Sequence, residues 1–386
     1  MGKIALNYIY LGKKHAGGKD QVGINLLKGL HENLLTDRFC VICYEYSKKI
    51  IEETAPGIEV ITVGKGEYRN EFERIIKLYL VNDLRIRKII KKYGISMIYH
   101  LSCNNGFIKQ PVPAVVIPHD IKAVSHRKLP GLKVPYLKYL ILKYMYWLDF
   151  IHADGIIAIS DFDKADICKC YPRFSSKVRR IYNPIVTGVK RTDLKRPVEY
   201  SYIVAINLQF HHKNIITLIK AYEKIKNRIG QKLVLVGNVP QRVHYLKEYV
   251  QEHGLQNDIY FTGYVEDNEM YSWLEFSDLY VNPTLFEGFG MTAVEALLMK
   301  KTVLLSKIPV NYEITKGLCE YYEKPENADN LAAAILNCLT RTYSEKQCDE
   351  IMNIMSQEYG YKEISRKYYE YFESFLNSDR VVKGIK

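Results

Sequence analysis

Apolar positions along this chain repeat in two alternating periods. Short runs at 3–11 (KIALNYIYL), 39–46 (FCVICYEY), 57–63 (GIEVITV), 96–101 (SMIYHL), 113–120 (PAVVIPHD) and 155–160 (GIIAIS) read as strands. Between them the spacing turns helical. Val22, Leu26, Leu27, Leu30 and Leu34 share one face of a helix over about 19–35, a long polar helix is predicted over about 68–93, and another starts near Asp163. After Asn183 and Pro184 the pattern lapses, and 190–200 (KRTDLKRPVEY) reads as a linker. The alternation then restarts, with strands at 200–206, 232–237, 258–263, 278–283 and 302–306 and helices near 214–229, 241–253, 267–276 and 290–300. Helical patterns follow at 327–341, 344–357 and 361–377. Alternating strands and helices signal parallel sheets with crossover helices. The expectation is an α/β protein of two Rossmann-like, doubly wound domains, 1–187 and 188–360, facing a central cleft, with a C-terminal helix in 361–386 crossing back to the first domain. Ligands of such sheets bind beyond the carboxyl ends of the strands, so the loops there are where chemistry is sought.

Composition narrows the ligand. The 386 residues allow two cores, and 47% apolar with 25% charged residues is ordinary for a globular protein. The net charge of +12 is not ordinary, and suits nucleic acid, an anionic membrane or phosphorylated substrates. No recognised nucleic-acid motif accompanies it, so nucleic acid is set aside. No apolar run approaches the ~20 residues of a membrane-spanning helix. The first apolar segment lacks a small-residue cleavage site and reads as a strand, and Leu6 breaks the myristoylation pattern. Eight scattered cysteines, including Cys40 and Cys43 inside a strand run, read as small buried apolar residues. With no N-x-Ser/Thr acceptor, the expected location is the cytoplasm, peripheral on the inner face of the cell membrane.

The densest chemistry is at 283–295, PTLFEGFGMTAVE. A strand ends there in a glycine-bearing turn, with Gly288 and Gly290, and a helix opens. Free N–H groups and the positive end of the helix dipole make such a turn an anion site. Glu287 and Glu295 bracket it, and carboxylates ask for hydroxyls. A ligand with both phosphate and hydroxyls is a nucleotide sugar. Other strand ends add candidates. Gly17 and Gly18 lie in a loop with Lys13, Lys14 and Lys19, which matches neither a Walker A nor a dinucleotide fingerprint. His119 and Asp120 end a strand, where the imidazole can bond a phosphate or a sugar hydroxyl. Lys213 opens a helix beside His211 and His212, where an ammonium can meet a pyrophosphate. Gly237 and Gly263 also follow strands. Asp161 and Asp163 form a D-x-D, better explained by helix capping than by a metal. From 121 to 148 there are six basic residues and no acidic one, interleaved with Tyr136, Tyr139, Tyr144 and Trp147. That segment suits either an anionic membrane surface or a core-facing helix with a solvated basic face.

Taken in order, HAGG, IPHD, IIAISDFDKADI, YNPI, HHKN, VLVGN and the EGFG block with its second glutamate resemble the retaining glycosyltransferases of family 4, which have the GT-B fold. The resemblance covers nearly the whole chain. It implies that the first domain binds the acceptor and the second a nucleotide diphosphate sugar. It implies that Glu287 bonds donor-sugar hydroxyls, Glu295 the ribose, and Lys213 the pyrophosphate. Backbone amides of Gly288, Phe289, Gly290, Met291 and Thr292 would contact sugar and phosphate, His119 would stand near the anomeric centre and Gly18 near the β-phosphate, with Gly17 also in the nucleotide-sugar site. Gly237, Asn207 and His212 complete the implied nucleotide-sugar site. Neither a metal nor a separate cofactor is implied. The arginine customary beside the lysine is replaced by Asn207 and His212, so His212 or a first-loop lysine would stand in for it. Lys300 and Thr302 replace a glycine and a proline at the end of the following helix, and Thr292 stands where proline is frequent. The implied activity is hexosyl transfer to a glycan or lipid-linked glycan, in polysaccharide or surface-glycan synthesis. Its rivals are a catalytically weak sugar-nucleotide-binding partner and a GT-B sugar-nucleotide epimerase.

Overall fold

The computed structural model describes residues 2–13, 17–189, 191–341 and 343–383. Lys14, His15 and Ala16 of the first loop lie outside them. The chain folds as two compact units: 1–125 with 134–185 and 359–386, and 126–133 with 186–358.

The first unit is built on a seven-stranded parallel sheet. Its strands are β1 (Lys3–Asn7), β2 (Phe39–Cys43), β3 (Glu59–Thr62), β4 (Ile95–His100), β5 (Ala114–Val116), β6 (Gly155–Ala158) and β7 (Val178–Arg180), in the order β3-β2-β1-β4-β5-β6-β7. The order reverses at β1, so right-handed crossovers put the helices Gly18–Glu32 and Glu45–Thr54 on one face. The connections after β3, including Glu71–Val81 and Tyr136–His152, then fall on the other. β1, β2, β4, β5 and β6 are apolar almost throughout and buried, as strands covered on both faces must be. The C-terminal helix, Tyr361–Lys383, belongs to this unit and packs on Gly18–Glu32, where Ser365 donates to the Leu26 carbonyl at 3.0 Å.

The long polar helix predicted over 68–93 starts at Glu71, capped by Asn70, whose side chain accepts from Glu73 N. It runs to Tyr93 but passes through a π-helical turn at Asn82–Ile86. The extra residue turns Asn82 inward. Its side chain is fully buried and donates to the carbonyls of Leu78 at 2.8 Å and Asn104 at 3.0 Å, while its own oxygen accepts from Asn7 at 2.9 Å.

The second unit carries a six-stranded parallel sheet of β8 (Tyr202–Ile206), β9 (Lys232–Val236), β10 (Ile259–Gly263), β11 (Leu279–Asn282), β12 (Val303–Ser306) and β13 (Glu320–Tyr322), in the order β10-β9-β8-β11-β12-β13. Again the order reverses beside the first strand. A core of Ile203, Leu218, Leu233, Leu235, Val281, Leu304 and Ile335 packs between this sheet and helices that include Ile215–Ile225 and Ala328–Thr340. β7 and β13, of three residues each, were not among the predicted strands.

Segment 121–148 is not one amphipathic stretch. Lys122–Ser125 is a short helix of the first unit, 126–133 belongs to the second, and Tyr136–His152 returns to the first. That last helix turns Tyr139, Leu142, Tyr146 and Trp147 toward the core around Phe150, and leaves Tyr136, Leu137, Leu140, Ile141 and Tyr144 exposed. Its outer face is therefore apolar and aromatic as well as basic.

Candidate functional site

In the second unit the carboxyl ends of β8 and β11 are stapled together by their loops. β8 ends at Ile206, and the chain reaches a single 3-10 turn, His211–Lys213. Lys213 therefore precedes the helix Ile215–Ile225 rather than opening it. The residue between them, Asn214, takes the left-handed conformation, and its side chain donates to the carbonyls of Pro283 at 3.0 Å and Pro325 at 2.7 Å. The His212 carbonyl accepts from Leu285 N at 2.7 Å and lies 3.1 Å from the Thr284 hydroxyl. Segment 283–285 thus holds the lysine turn from both sides.

That staple sets Lys213 Nζ 2.5 Å from Glu287 Oε1, with both side chains about 11–12% exposed. Asn282 Nδ2 stands 3.4 Å from the same oxygen. Burial pushes the Glu287 carboxyl up, but the ammonium of Lys213, its hydrogen bond, and His212 and Asn282 outweigh burial and hold it below its ordinary range. Glu287 is ionised at neutral pH. A buried pair of this kind is costly to break, because either partner alone is a buried, uncompensated charge.

Two residues on, the chain turns into the helix Met291–Leu298. Gly290 caps it at φ +92°, in the left-handed region where a side chain would be strained. The first-turn N–H groups of Met291 and Thr292 therefore begin just beyond Glu287, where an anion meets the helix dipole. Glu295 lies farther along the same helix, 8% exposed, and accepts from Tyr271 OH at 3.1 Å. Burial is the main influence on it, opposed by Tyr271 and Thr292, and pushes its carboxyl up to about 7. Asn207, at φ +72°, donates its N–H to the Val236 carbonyl at 3.0 Å, and the Gly237 N–H reaches the Gly263 carbonyl at 3.1 Å. Asn207, Gly237 and Gly263 therefore meet at the ends of β8, β9 and β10. Phe210 stacks on the buried His212 at 5.4 Å, and His126, from 126–133, lies 4.8 Å from Phe286, the neighbour of Glu287. The sequence carries no periodic signal for that last contact, since its two sides are 160 residues apart.

The first unit presents its candidates at the carboxyl edge of its own sheet. Gly17 is the N-cap of the helix Gly18–Glu32, at φ +111°. Buried Asp20 anchors the loop by accepting from Gly12 N at 3.0 Å. His119 takes φ +64°, and its Nε2 lies 2.9 Å from the Leu101 carbonyl. Burial lowers its pKa to about 4, with the Leu101 bond opposing and Lys19 adding to the fall. The ring is neutral, Nε2 carries the proton toward Leu101, and Nδ1 is left as an acceptor. An acceptor suits a sugar hydroxyl, not a phosphate oxygen. Lys13 is exposed in this loop. Asp161 and Asp163 sit in the first turn of Asp161–Cys170, capped by Ser160, which accepts from Asp163 N at 2.9 Å, while Asp163 accepts from Ile159 N at 3.1 Å. No group of three or more metal-ligating side chains occurs among the described residues.

Two parallel α/β sheets, each with its order reversed beside the first strand, are the architecture of the GT-B class of glycosyltransferase, and the strand–turn–helix with two glutamates lies at the carboxyl edge of the second. Residues 16–189 match the model of glycosyltransferase family 4, and 188–353 that of glycosyl transferases group 1. The chain belongs to this glycosyltransferase family. It is 24% identical over 337 residues to the O-antigen chain mannosyltransferase RfbU of Salmonella typhimurium, covering 86% of this chain and 90% of that one. It is 26% identical over 204 residues to the uncharacterized glycosyltransferase MJ1607 of Methanocaldococcus jannaschii, where the match covers 49% of this chain and only about half, 51%, of the relative. Among solved structures, Anabaena Alr3699/HepE in complex with UDP and glucose superposes with a TM-score of 0.72 at 19% identity, over 97% of this chain and 100% of that one.

Proposed function

We propose that this glycosyltransferase is a retaining, metal-independent enzyme that moves a hexosyl group from a nucleotide diphosphate sugar to a glycan or lipid-linked glycan, in polysaccharide or surface-glycan synthesis. The observation that carries the reading is the buried Glu287–Lys213 pair set just before the N-terminus of Met291–Leu298. A leaving nucleoside diphosphate gathers negative charge as the glycosidic bond breaks. Lys213 and the N–H groups from Gly288 to Thr292 are fixed positive partners for that charge, and they need no reorganisation at the moment of reaction. Donor binding, before the reaction, draws Lys213 to the phosphate, and Glu287 then accepts from donor-sugar hydroxyls. Glu295 receives the ribose hydroxyls, with Asn207, His212 and Gly237 around the nucleotide. Gly17, Gly18 and His119 in 1–187 serve the β-phosphate and the sugar, and that domain takes the acceptor. The RfbU relative makes mannosyl donors the first to try. The reaction calls for no separate cofactor.

A panel of nucleotide sugars, read by release of nucleoside diphosphate, tests this. Turnover with at least one donor, lost in Glu287→Gln, is the expected result. A second reading, a sugar-nucleotide-binding partner without turnover, is favoured by one feature: the charge of Lys213 is already matched by Glu287. Calorimetric donor binding with no turnover on any acceptor supports that reading. Sugar-nucleotide products formed without an acceptor would instead indicate an epimerase.

The outer face of Tyr136–His152, rich in Tyr, Leu and Lys, is the proposed peripheral contact with an anionic membrane at the cytoplasmic side. No helix among the described residues is long and apolar enough to cross a membrane. Salt-sensitive flotation with anionic liposomes is expected, and association indifferent to salt would count against it.

A further inference from the structure

A pocket of about 340 Å³ opens in the first unit at the same carboxyl edge as Gly17 and His119, displaced toward edge strand β3. Tyr44, directly after β2, and Val63 and Lys65, directly after β3, form one side. The other side is the helix from Lys77 to Arg85. The floor is specifically built. Gly66 holds φ +67°, and a Cβ there would stand 2.5 Å from Tyr44 Cγ, so only glycine lets this loop lie against the ring. Arg85 Nη1 ties the helix to the loop by donating to the Val63 carbonyl at 2.5 Å.

Two kinds of surface meet here. Lys65, Lys77 and Arg85 bring three cations to the lining against one carboxylate, Glu67. Lys77 already touches Glu73 at 2.8 Å and the Glu67 carbonyl at 2.7 Å, both exposed contacts that an anion can replace. Beside the cations runs an apolar ridge. Leu84 and Leu80 are 59% and 45% exposed, and Ile76 and Phe72 continue the line at 37% and 74%. Four-residue spacing keeps all four on one helix face. Exposed large apolar side chains in a continuous row, next to a cationic pocket, fit a ligand with an anionic head and a hydrocarbon tail.

We propose that this pocket takes an alkyl phosphate, the phosphorylated lipid anchor of the acceptor. The head sits among Lys65, Lys77 and Arg85, and the chain runs along Leu84, Leu80, Ile76 and Phe72. The inference rests on the transferase reading and narrows its acceptor to a phosphate-bearing lipid carrier.

The test is calorimetric titration of the full chain with farnesyl phosphate, farnesol and inorganic phosphate, in parallel with UDP and GDP. Farnesyl phosphate is expected to bind at least about tenfold tighter than either farnesol or phosphate. The double variant Lys65→Ala/Lys77→Ala should weaken it about tenfold, and Leu84→Asn comparably. These are exposed positions, so folding is preserved, and nucleoside diphosphate affinity should not move. Unchanged farnesyl phosphate binding in both variants would overturn the proposal. So would phosphate binding as tightly as farnesyl phosphate, which would make this a plain anion site. Phosphatidylglycerol vesicles competing as well as farnesyl phosphate would overturn it in favour of a bilayer surface. If the wild type binds neither UDP nor GDP, it is the transferase reading that fails, whatever farnesyl phosphate does.

Discussion

At the carboxyl edge of the six-stranded sheet, the buried side chains Glu287 and Lys213 face each other as ions 2.5 Å apart. At the same edge of the seven-stranded sheet, the buried group around His100 is neutral. Asn7 donates to His100 Nδ1 at 2.9 Å, Tyr10 OH lies 3.1 Å from the same nitrogen, and Asn82 closes the group. Burial lowers the His100 pKa to about 3 and the His119 pKa to about 4, and pushes the Asp149 carboxyl up to about 7 even though Asn105 N donates to it at 3.0 Å. The topologies match, so the sheets do not cause the difference. Glu287 has an opposite charge at contact distance, whereas His100 and His119 meet only dipoles: Asn7 and Tyr10 at His100, the Leu101 carbonyl at His119. A buried group stays ionised where its partner's attraction exceeds desolvation, and otherwise gives up its charge. On the transferase reading, Lys213 serves the departing diphosphate and the neutral His119 serves a sugar hydroxyl.

The largest expected effect comes from discharging the charged edge. Glu287→Gln should cost about a thousandfold in turnover with a smaller loss of donor affinity, since its contact matters most as the sugar distorts. Single-turnover rates beside calorimetric affinities check this split. Next is Lys213→Ala, which leaves Glu287 buried without its cation and should destabilise the fold by about 3–5 kcal/mol. Lys213→Met/Glu287→Met should recover much of that stability in a denaturant titration without recovering activity. Recovery of both would place the pair in the fold and not in the chemistry.

On the neutral edge, His119→Phe should lower kcat/KM by about tenfold, the value of one hydrogen bond to a sugar hydroxyl. The wild-type profile should show no titration of His119 from pH 5 upward, because its pKa is about 4. The last effect is on stability and not on rate, and concerns Glu295. Its folded pKa of about 7 lies above the ordinary 4.5, so its contribution to stability is fully present below pH 4.5 and is lost as pH rises through 7. Up to about 3 kcal/mol is at stake over that window. Glu295→Gln stays neutral throughout. Denaturation midpoints at pH 5 and pH 8 should therefore differ less in the variant than in the wild type.

Much of this contrast was legible in the sequence, because the ends of long apolar runs mark where ligands meet parallel sheets. The 283–295 block showed its turn, its helix start and both carboxylates in one window, and the alternation implied two sheets. What could not be read depends on tertiary packing. β7 (VRR) and β13 (EYY) have three residues each and, unlike β5 (AVV), are not themselves continuous apolar runs. The π-helical turn at Asn82 answers to the buried polar groups it meets, not to its own residue types. Segment 126–133 looked continuous with its neighbours but packs with the other unit, against Phe286. Glu287 and Glu295 looked alike, and their different charge states arise from Lys213 and Tyr271, which sequence spacing does not bring near.

The most direct measurement is nucleoside diphosphate release from a panel of nucleotide sugars, mannosyl donors first, by the wild type and by Glu287→Gln at matched donor saturation. The account predicts acceptor-dependent turnover with at least one donor, and a drop of about a thousandfold in the variant. Wild-type turnover that persists within a fewfold in Glu287→Gln would contradict it.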